Sequence, residues 1–144
     1  MTNHSFAIPP IGLAPFLTFA GQAEAAMDHY QDVFKGSQRL NLTLIENDLA
    51  FKAAGKDVGK VLNGQLLIKG QLVMFMDIAP EYAVPFNWAS SLYIHCDSEE
   101  EFDSLFAGLS SGGTVMMGPE KVLDLHKGAW VTDRFGVTWQ LVLE

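Results

Sequence analysis

The sequence of 144 residues contains a single cysteine, Cys96, which excludes an intramolecular disulfide. It also lacks any apolar run of the roughly 18 residues that a membrane-spanning helix needs. The N-terminus shows no basic segment followed by an apolar stretch and a small-residue cleavage site, the pattern of a secretory signal peptide. We therefore expect a cytoplasmic protein with no membrane partner.

Basic residues are few. Lys and Arg together number 9 against 17 for Asp and Glu, so the formal net charge is −8. Nucleic acids and anionic membranes both favour a basic surface, and we expect neither as a partner. Hydrophobic residues make up 49% of the chain and charged residues 18%, as in a globular protein with a substantial core. The length fits a single domain over residues 1–144.

Familiar catalytic motifs are also missing. The sequence contains no CxxC pair, no HExxH zinc motif, no phosphate-binding P-loop and no GxSxG nucleophile turn. Histidines occur singly, and His95 has no partner that the sequence identifies as a carboxylate or nucleophile. The sequence therefore nominates no catalytic residue.

Hydrophobic periodicity predicts one helix and four strands in the first half. Apolar residues recur at helical spacing from Ala23 to Phe34, and Gly36 stands where a helix commonly ends. The strands are predicted over residues 14–19, 39–45, 61–68 and 71–76. Residues 46–60 are predicted to form a loop that could contain a short helix.

The second half repeats this pattern. Residues 90–96 are predicted to form a strand, and Ser98 with Glu101 has the spacing of a capping box at the start of a helix. Gly112-Gly113 ends that helix, a strand covers 114–117, and a loop covers 118–127. A closing hairpin has arms at 129–133 and 137–143, joined by a turn from Asp133 to Gly136.

The two halves overlay on each other. With a shift of 75 residues, Leu17 matches Leu92 and Met27 matches Phe102; in the hairpins a shift of 66 matches Met74 with Gln140. Both halves read β-α-β-β-β, which gives a first module at about 14–77, a linker at 78–89 and a second module at about 90–144. One such module cannot cover both faces of its sheet, so we expect the modules to associate.

Four stretches carry a resemblance to a known family: residues 19–30, residues 96–103, Gly112-Gly113, and above all the segment DRFGVTWQ at 133–140. Through them the chain resembles the vicinal oxygen chelate superfamily, which includes glyoxalases and bleomycin resistance proteins. Within it the chain is similar to the PhnB-like, 3-demethylubiquinone methyltransferase-like branch. The resemblance implies an α+β fold of two tandem βαβββ modules, an open, curved mixed β-sheet barrel with helices outside, a pocket within, and a homodimer.

The resemblance also implies where a metal site would lie. The four ligand positions of the metal-dependent relatives fall here on Pro15, Met74, Ser90 or Ser91, and Gln140. Of these, Gln140 alone offers a donor suited to a divalent cation. We therefore expect no metal and no cofactor. The methyltransferase label gains no support, because the sequence has no glycine-rich nucleotide loop.

The inward face of the sheets is the predicted ligand site. If Ser91 points inward, period-2 alternation places Tyr93 and His95 beside it and directs Ile94 and Cys96 toward the helix. The predicted ligand-binding residues are Met74, Met76, Tyr93, His95, Trp130, Thr138 and Gln140. Such a mixture of aromatic, thioether and hydrogen-bonding side chains suits a small organic molecule. The alternative is that these residues only fill a collapsed barrel.

Three hypotheses about function follow. The first is a protein that binds a small organic ligand in the cavity of the β-sheet without metal, whether or not it is an enzyme. The second is a metal-dependent lyase, isomerase or dioxygenase of the same superfamily. The third is an interaction module that serves dimerisation or partner binding.

Overall fold

The structure is a computed structural model that describes residues 12–45 and 60–144. Within these ranges the chain forms two α-helices and eight β-strands, as one strand, one helix and three strands, twice over. The first set is β1 (Phe16–Phe19), α1 (Ala23–Val33), β2 (Gln38–Leu44), β3 (Val61–Ile68) and β4 (Gln71–Asp77). The second set is β5 (Leu92–His95), α2 (Glu99–Ser110), β6 (Thr114–Val122), β7 (Leu125–Thr132) and β8 (Thr138–Leu143). The predicted α+β class with two tandem βαβββ modules is therefore confirmed.

The two sets lie in two compact units, residues 1–83 and 84–144. Each unit contains one four-stranded mixed sheet, ordered β1-β4-β3-β2 in the first and β5-β8-β7-β6 in the second. In each sheet the first strand runs parallel to the last, and the other pairs are antiparallel. A single 3₁₀ turn, Pro80–Tyr82, lies within the predicted linker. Apart from Lys60, the predicted loop at 46–60 lies outside the described residues.

The core of the first unit lies between α1 and its sheet. Tyr30 and Phe75 are fully buried, and their ring centroids are 6.0 Å apart. The helix approaches β3 so closely that a Cβ at Gly64 would lie 2.5 Å from the sulfur of Met27. Glycine at this position of β3 therefore lets the helix pack on the sheet.

The core of the second unit lies between α2 and β7 and β8. Phe102 on the helix and Leu141 on β8 are fully buried. At the rim, the Lys127 ammonium lies 5.1 Å from the centroid of the Phe102 ring and donates hydrogen bonds to Glu99 and Asp103 on the helix. The Lys127 hydrogen bond lowers the pKa of Glu99, and the same contact raises the pKa of Lys127. These contacts fix which face of β7 meets the helix.

The predicted capping box at the start of α2 is confirmed. The Ser98 hydroxyl accepts a hydrogen bond of 3.1 Å from the Glu101 backbone N–H. In return the Glu101 carboxylate accepts one of 2.6 Å from the backbone N–H of Asp97, one residue before the cap. Three glutamates in the first turn also face the positive end of the helix dipole.

Two buried aspartates hold the chain where its elements meet. Asp77, at the end of β4, accepts from the backbone N–H groups of Gly21 and Ala23 at the start of α1 and from that of Val61. No side chain of α1 itself caps that helix, so Asp77 replaces the local cap. Asp133 is the corresponding buried acid of the closing hairpin.

Asp133 organises the predicted turn from Asp133 to Gly136, which is confirmed. Its carboxylate accepts from the backbone N–H groups of Phe135 at 2.8 Å and Val137 at 3.1 Å, and from Trp139 Nε1 at 2.9 Å. The next residue, Arg134, donates to the carbonyl and hydroxyl of Ser111 after α2. The turn is thereby fixed both to its own strand and to the end of the helix.

The glycine pair at the end of α2 has a steric reason. A Cβ at Gly113 would lie 2.2 Å from the backbone oxygen of Thr132. No side chain fits at this position, because β7 passes directly over it. The predicted helix end at Gly112-Gly113 thus also marks the close approach of β6 to β7.

One predicted element is wrong. Residues 118–127 were predicted to be a loop, but β6 continues to Val122 and β7 begins at Leu125, with the turn at Leu123 and Asp124. A Gly-Pro pair such as Gly118-Pro119 commonly interrupts a strand. Pro119 is tolerated because β6 is the edge strand of its sheet, where a missing N–H need not cost a ladder bond, and the pairing register shifts there.

Replacement of Asp133 by alanine should destabilise the protein by about 3 kcal/mol, because it leaves three buried donors without their charged acceptor. Urea denaturation followed by circular dichroism would measure the loss. Asp124→Ala, at an exposed turn position, is the matched control and should change stability by no more than about 0.5 kcal/mol. Equal stability of the two variants would contradict the structural role of Asp133.

Candidate functional site

A row of four side chains crosses the sheet of the second unit. The strand registers pair Tyr93 with Gln140, Gln140 with Trp130, and Trp130 with Met117. Because side chains alternate along a strand, all four lie on the face opposite the one that α2 covers. The row therefore joins all four strands of the sheet, β5, β8, β7 and β6, on its helix-free face.

A cleft of about 150 Å³ lies along this row. Its lining is apolar and aromatic apart from the amide of Gln140 and the hydroxyl of Tyr93. The lining residues are Tyr93, Met117, Val122, Leu125, Gly128, Ala129, Trp130, Gln140, Leu141 and Val142. None of these side chains carries a formal charge at neutral pH. The cleft is thus better suited to uncharged, largely apolar molecules than to ions.

Gln140 is held in place from the neighbouring strand. Its Nε2 donates a hydrogen bond of 2.8 Å to the hydroxyl of Ser91, just before β5. The side chain is half-buried, as predicted for a polar residue in an apolar strand. The bond fixes the amide at the wall of the cleft.

Trp130 forms another part of that wall. Its indole is half-buried and meets the Trp88 ring edge-on, with centroids 6.1 Å apart and planes at 90°. Its Nε1 is shielded from solvent and has no hydrogen-bond partner among the described residues. A buried donor without an acceptor costs on the order of 1–3 kcal/mol. The cleft wall therefore contains one unsatisfied donor.

The structure brings together three of the seven predicted ligand-binding residues, Tyr93, Trp130 and Gln140. Thr138 lies on the same strand two residues before Gln140, but it is buried against the hydroxyl of Thr132 at 3.2 Å. His95 is half-exposed, and its ring nitrogens lie 3.5 Å from the Glu144 carboxylate and 3.9 Å from that of Asp97. Neither Thr138 nor His95 lines the cleft.

Met74 and Met76 belong to the sheet of the first unit. Both are half-buried on β4, where Met74 pairs with Phe16 and Met76 with Thr18 of β1. On the same sheet, the Asn63 side-chain oxygen accepts hydrogen bonds from the amides of Asn41 at 3.0 Å and Gln65 at 3.2 Å. The two methionines therefore lie on a sheet that also carries three hydrogen-bonded amide side chains.

The sequence analysis missed seven of the ten lining residues, and three of these seven carry large apolar side chains on one hairpin: Met117, Val122 and Leu125. All three belong to the β6–β7 hairpin, most of which was predicted to be a loop. Alternation alone could not have placed them, because the register of β6 shifts three times along its length. The apolar pair Val122 and Leu125, which flanks a two-residue turn, was the available signal for the hairpin.

The positions that the resemblance assigned to metal ligands are adjacent within each unit. The Pro15 carbonyl accepts from the Met74 N–H at 2.9 Å, and Ser91 contacts Gln140. Their side chains supply one thioether, one hydroxyl and one amide, which is a poor donor set for a divalent cation. Nor does the described part of the chain contain a group of three or more His, Cys, Asp or Glu residues placed to hold a metal. The residues at these positions do not fit a metal site.

Comparison with solved structures defines the class of protein. A glyoxylase/bleomycin resistance protein/dioxygenase domain from Frankia sp. EAN1pec superposes with a TM-score of 0.63, covers 95% of this chain and 98% of its own, and is 12% identical. At this identity the likeness shows the fold alone. The fold is the two-module fold of the vicinal oxygen chelate superfamily, as the resemblance predicted.

The chain belongs to the family described as 3-demethylubiquinone-9 3-methyltransferase, whose sequence model matches residues 12–142. A putative 3-demethylubiquinone-9 3-methyltransferase, PhnB protein, from Bacillus cereus is 31% identical, with a TM-score of 0.81 over 92% of this chain and 99% of its own. The protein YjdN of Escherichia coli is 22% identical over 90% of this chain and 92% of its own. The PhnB-like assignment is therefore confirmed.

The two helices of the described ranges contain 11 and 12 residues. Neither α1 nor α2 is both long enough and apolar enough to cross a bilayer.

Two tryptophans in the closing hairpin should respond differently to the same substitution. Trp139→Phe removes the indole N–H that donates to Asp133. It should lower the free energy of unfolding by about 2 kcal/mol more than Trp130→Phe does, because the Trp130 indole N–H has no acceptor among the described residues. Urea denaturation of the two variants gives the difference directly, with the loss of ring atoms common to both. Equal destabilisation would mean that Trp130 Nε1 has an acceptor.

Proposed function

We propose that this protein binds a small organic molecule in the cleft of its second sheet and does so without metal. The observation that carries the proposal is the row of Tyr93, Gln140, Trp130 and Met117, which lines an uncharged cleft on the face free of the helix. A collapsed, side-chain-filled sheet would leave no such space.

No catalytic residue forms part of the proposal. The cleft lining contains no carboxylate, imidazole, amine or thiol, the side chains that most often serve as general bases and nucleophiles. His95 pairs with carboxylates outside the lining. The competing function is that of a metal-dependent lyase, isomerase or dioxygenase of the same superfamily, and no donor set described above favours it.

We propose, further, that the protein is a homodimer of the cytoplasm. Val115 and Met116 are exposed apolar side chains on the edge strand β6, a surface that association would cover. Cys96 is the single cysteine and is buried, and a chain without an intramolecular disulfide suits a reducing compartment. The acidic net charge supports a protein without nucleic-acid partners.

Filling the cleft should abolish ligand binding. Backbone and indole ¹H–¹⁵N NMR spectra would be recorded with a fragment library of neutral, anionic and cationic compounds. We expect some compounds to shift the Trp130 indole resonance in the wild type and none to do so in Met117→Trp, whose indole occupies the cleft.

Met116→Trp is the matched control, because Met116 precedes Met117 in β6 but does not line the cleft. This variant should keep the wild-type response. If no fragment shifts the Trp130 indole in the wild type, or if Met117→Trp responds as the control does, the proposed function is wrong.

Native mass spectrometry would test metal content and assembly together. Protein purified without chelators or a histidine tag should appear at twice the chain mass of 15.8 kDa, with no bound metal. Elemental analysis of the same sample is the control for metal lost on ionisation. One metal per chain would favour the metal-dependent alternative, and a monomer mass at all concentrations would contradict the dimer.

A further inference from the structure

We infer that the first unit carries a further binding site, on the helix-free face of its sheet, which recognises the amide edge of an uncharged, ring-bearing molecule through Asn63 and Gln65. This site does not depend on the proposed cleft, which belongs to the second unit. Its support comes from the side-chain amides of β2 and β3, from the groups that their hydrogen bonds leave free, and from the apolar side chains beside them.

The two amides lie on the face of the first sheet that α1 does not cover. Gly64, between them on β3, faces the helix, since a Cβ there would lie 2.5 Å from the Met27 sulfur. Side chains alternate along a strand, so Asn63 and Gln65 lie on the other face, where both are half-buried. The register with β2 places Asn41 beside Gln65. Amides from two adjacent strands therefore meet on this face.

Hydrogen bonds between these side chains fix the orientation of each amide. The Asn63 Oδ1 oxygen accepts from Asn41 Nδ2 at 3.0 Å and from Gln65 Nε2 at 3.2 Å. The Asn41 Oδ1 oxygen in turn accepts from the Thr43 hydroxyl at 3.4 Å. Because the network already orders these side chains, a ligand that binds them removes less conformational freedom than it would from isolated amides.

The network leaves one donor group and one acceptor group free. The Asn63 Nδ2 amino group and the Gln65 Oε1 oxygen have no hydrogen-bond partner among the described residues, and neither atom is shielded from solvent. Asn63 therefore presents donors and Gln65 presents an acceptor on the same strand. A ligand amide carries both complements, a carbonyl oxygen and an N–H. A ligand with acceptors alone can satisfy only Asn63.

The row of side chains through Gln65 carries no formal charge. It runs from Asn41 on β2 through Gln65 and then Met74 on β4 to Phe16 on β1. An ion that bound along this row would lose hydration without gaining a counter-charge. The net charge of −8 on the whole chain further disfavours anions. A neutral amide avoids both costs.

The same row provides an apolar surface for a ring. Neighbouring strands lie about 5 Å apart, so a ring attached to an amide at Gln65 extends over Met74. Met74 is half-buried, and its thioether sulfur packs favourably on aromatic rings at such distances. Beyond it, Phe16 is 48% exposed. A sugar would instead place hydroxyl groups over these two apolar side chains, which offer them no strong hydrogen-bond partner. The row therefore favours an aromatic amide over a polyhydroxylated ligand.

Five probes separate these contributions. Benzamide carries the ring, the acceptor and the N–H donor, and methyl benzoate keeps the ring and the acceptor but has no N–H. Benzoate and benzylammonium are the anionic and cationic counterparts, and methyl glucoside supplies hydroxyl groups without an aromatic ring. Each would be titrated into the intact protein and followed by NMR at the side-chain amide resonances of Asn63 and Gln65.

We expect benzamide to bind with a dissociation constant on the order of a millimolar, as its few heavy atoms allow. It should bind about tenfold more tightly than methyl benzoate, because of the additional hydrogen bond to Gln65 Oε1. The two ions and the glucoside should bind more weakly than benzamide. The inference is overturned if benzamide leaves these resonances unchanged, if methyl benzoate binds as tightly, or if an ion or the glucoside binds more tightly.

Gln65→Met should make benzamide and methyl benzoate bind equally, because the variant keeps the length of the side chain and loses its oxygen acceptor. Gln38→Met is the matched control: it is the same change at an exposed position of β2 outside the network, and it should keep the preference for benzamide. Binding to both variants would be followed at the Asn63 amide. A preference for benzamide that survives in Gln65→Met would overturn the assignment of the donor contact to this residue.

Different resonances distinguish failure of this inference from failure of the proposed function. If benzamide shifts the Trp130 indole and leaves the Asn63 and Gln65 amides unchanged, the inference is wrong and the proposed function stands. If benzamide shifts the two amides while no library compound shifts the Trp130 indole, the inference stands and the proposed function is wrong.

Discussion

The carboxylate of Asp133 is the constraint on which the second unit depends. A buried acid is costly unless donors replace the water it has lost, and here two backbone N–H groups and the Trp139 indole do so. These bonds close the turn and set the phase of β8. Because that phase is fixed, Trp139 and Leu141 face the helix while Gln140 faces the cleft. A shift of one residue in the register of β8 would turn Gln140 toward the core and Trp139 and Leu141 toward the cleft.

In the first unit, Asp77 is the buried acid whose hydrogen bonds hold neighbouring elements together. Its carboxylate also accepts three hydrogen bonds, but all three come from backbone N–H groups, two at the start of α1 and one in β3. The acid therefore connects three elements that are distant in sequence. Both units thus depend on one buried acid, which ends β4 in the first unit and directly follows β7 in the second. The repeated fold does not require repeated local chemistry.

Sequence periodicity predicted the order of helices and strands because each element has its own local signal. The stripe of α1, the capping box at Ser98 and the turn at Asp133 all act over a few residues. The extent of β6 could not be predicted in this way. Its Gly118-Pro119 pair is locally a break, and only its position at the sheet edge makes it acceptable. The role of Asp77 was missed for a related reason, since its partners lie 16 to 56 residues away.

The candidate site was partly predictable for the same reason. Tyr93 and Gln140 follow from alternation along β5 and β8, which pair in unbroken register. Met117 lies beyond a register shift in β6 and could be placed only by the structure. The fold and the chemistry of the cleft are therefore set by different residues: the aspartates and the helix-facing side chains fix the sheet, and its other face is free to vary. In the second unit that face has no metal-binding donor set among the described residues, and what it presents instead is an uncharged wall of Tyr93, Trp130 and Met117 around the amide of Gln140.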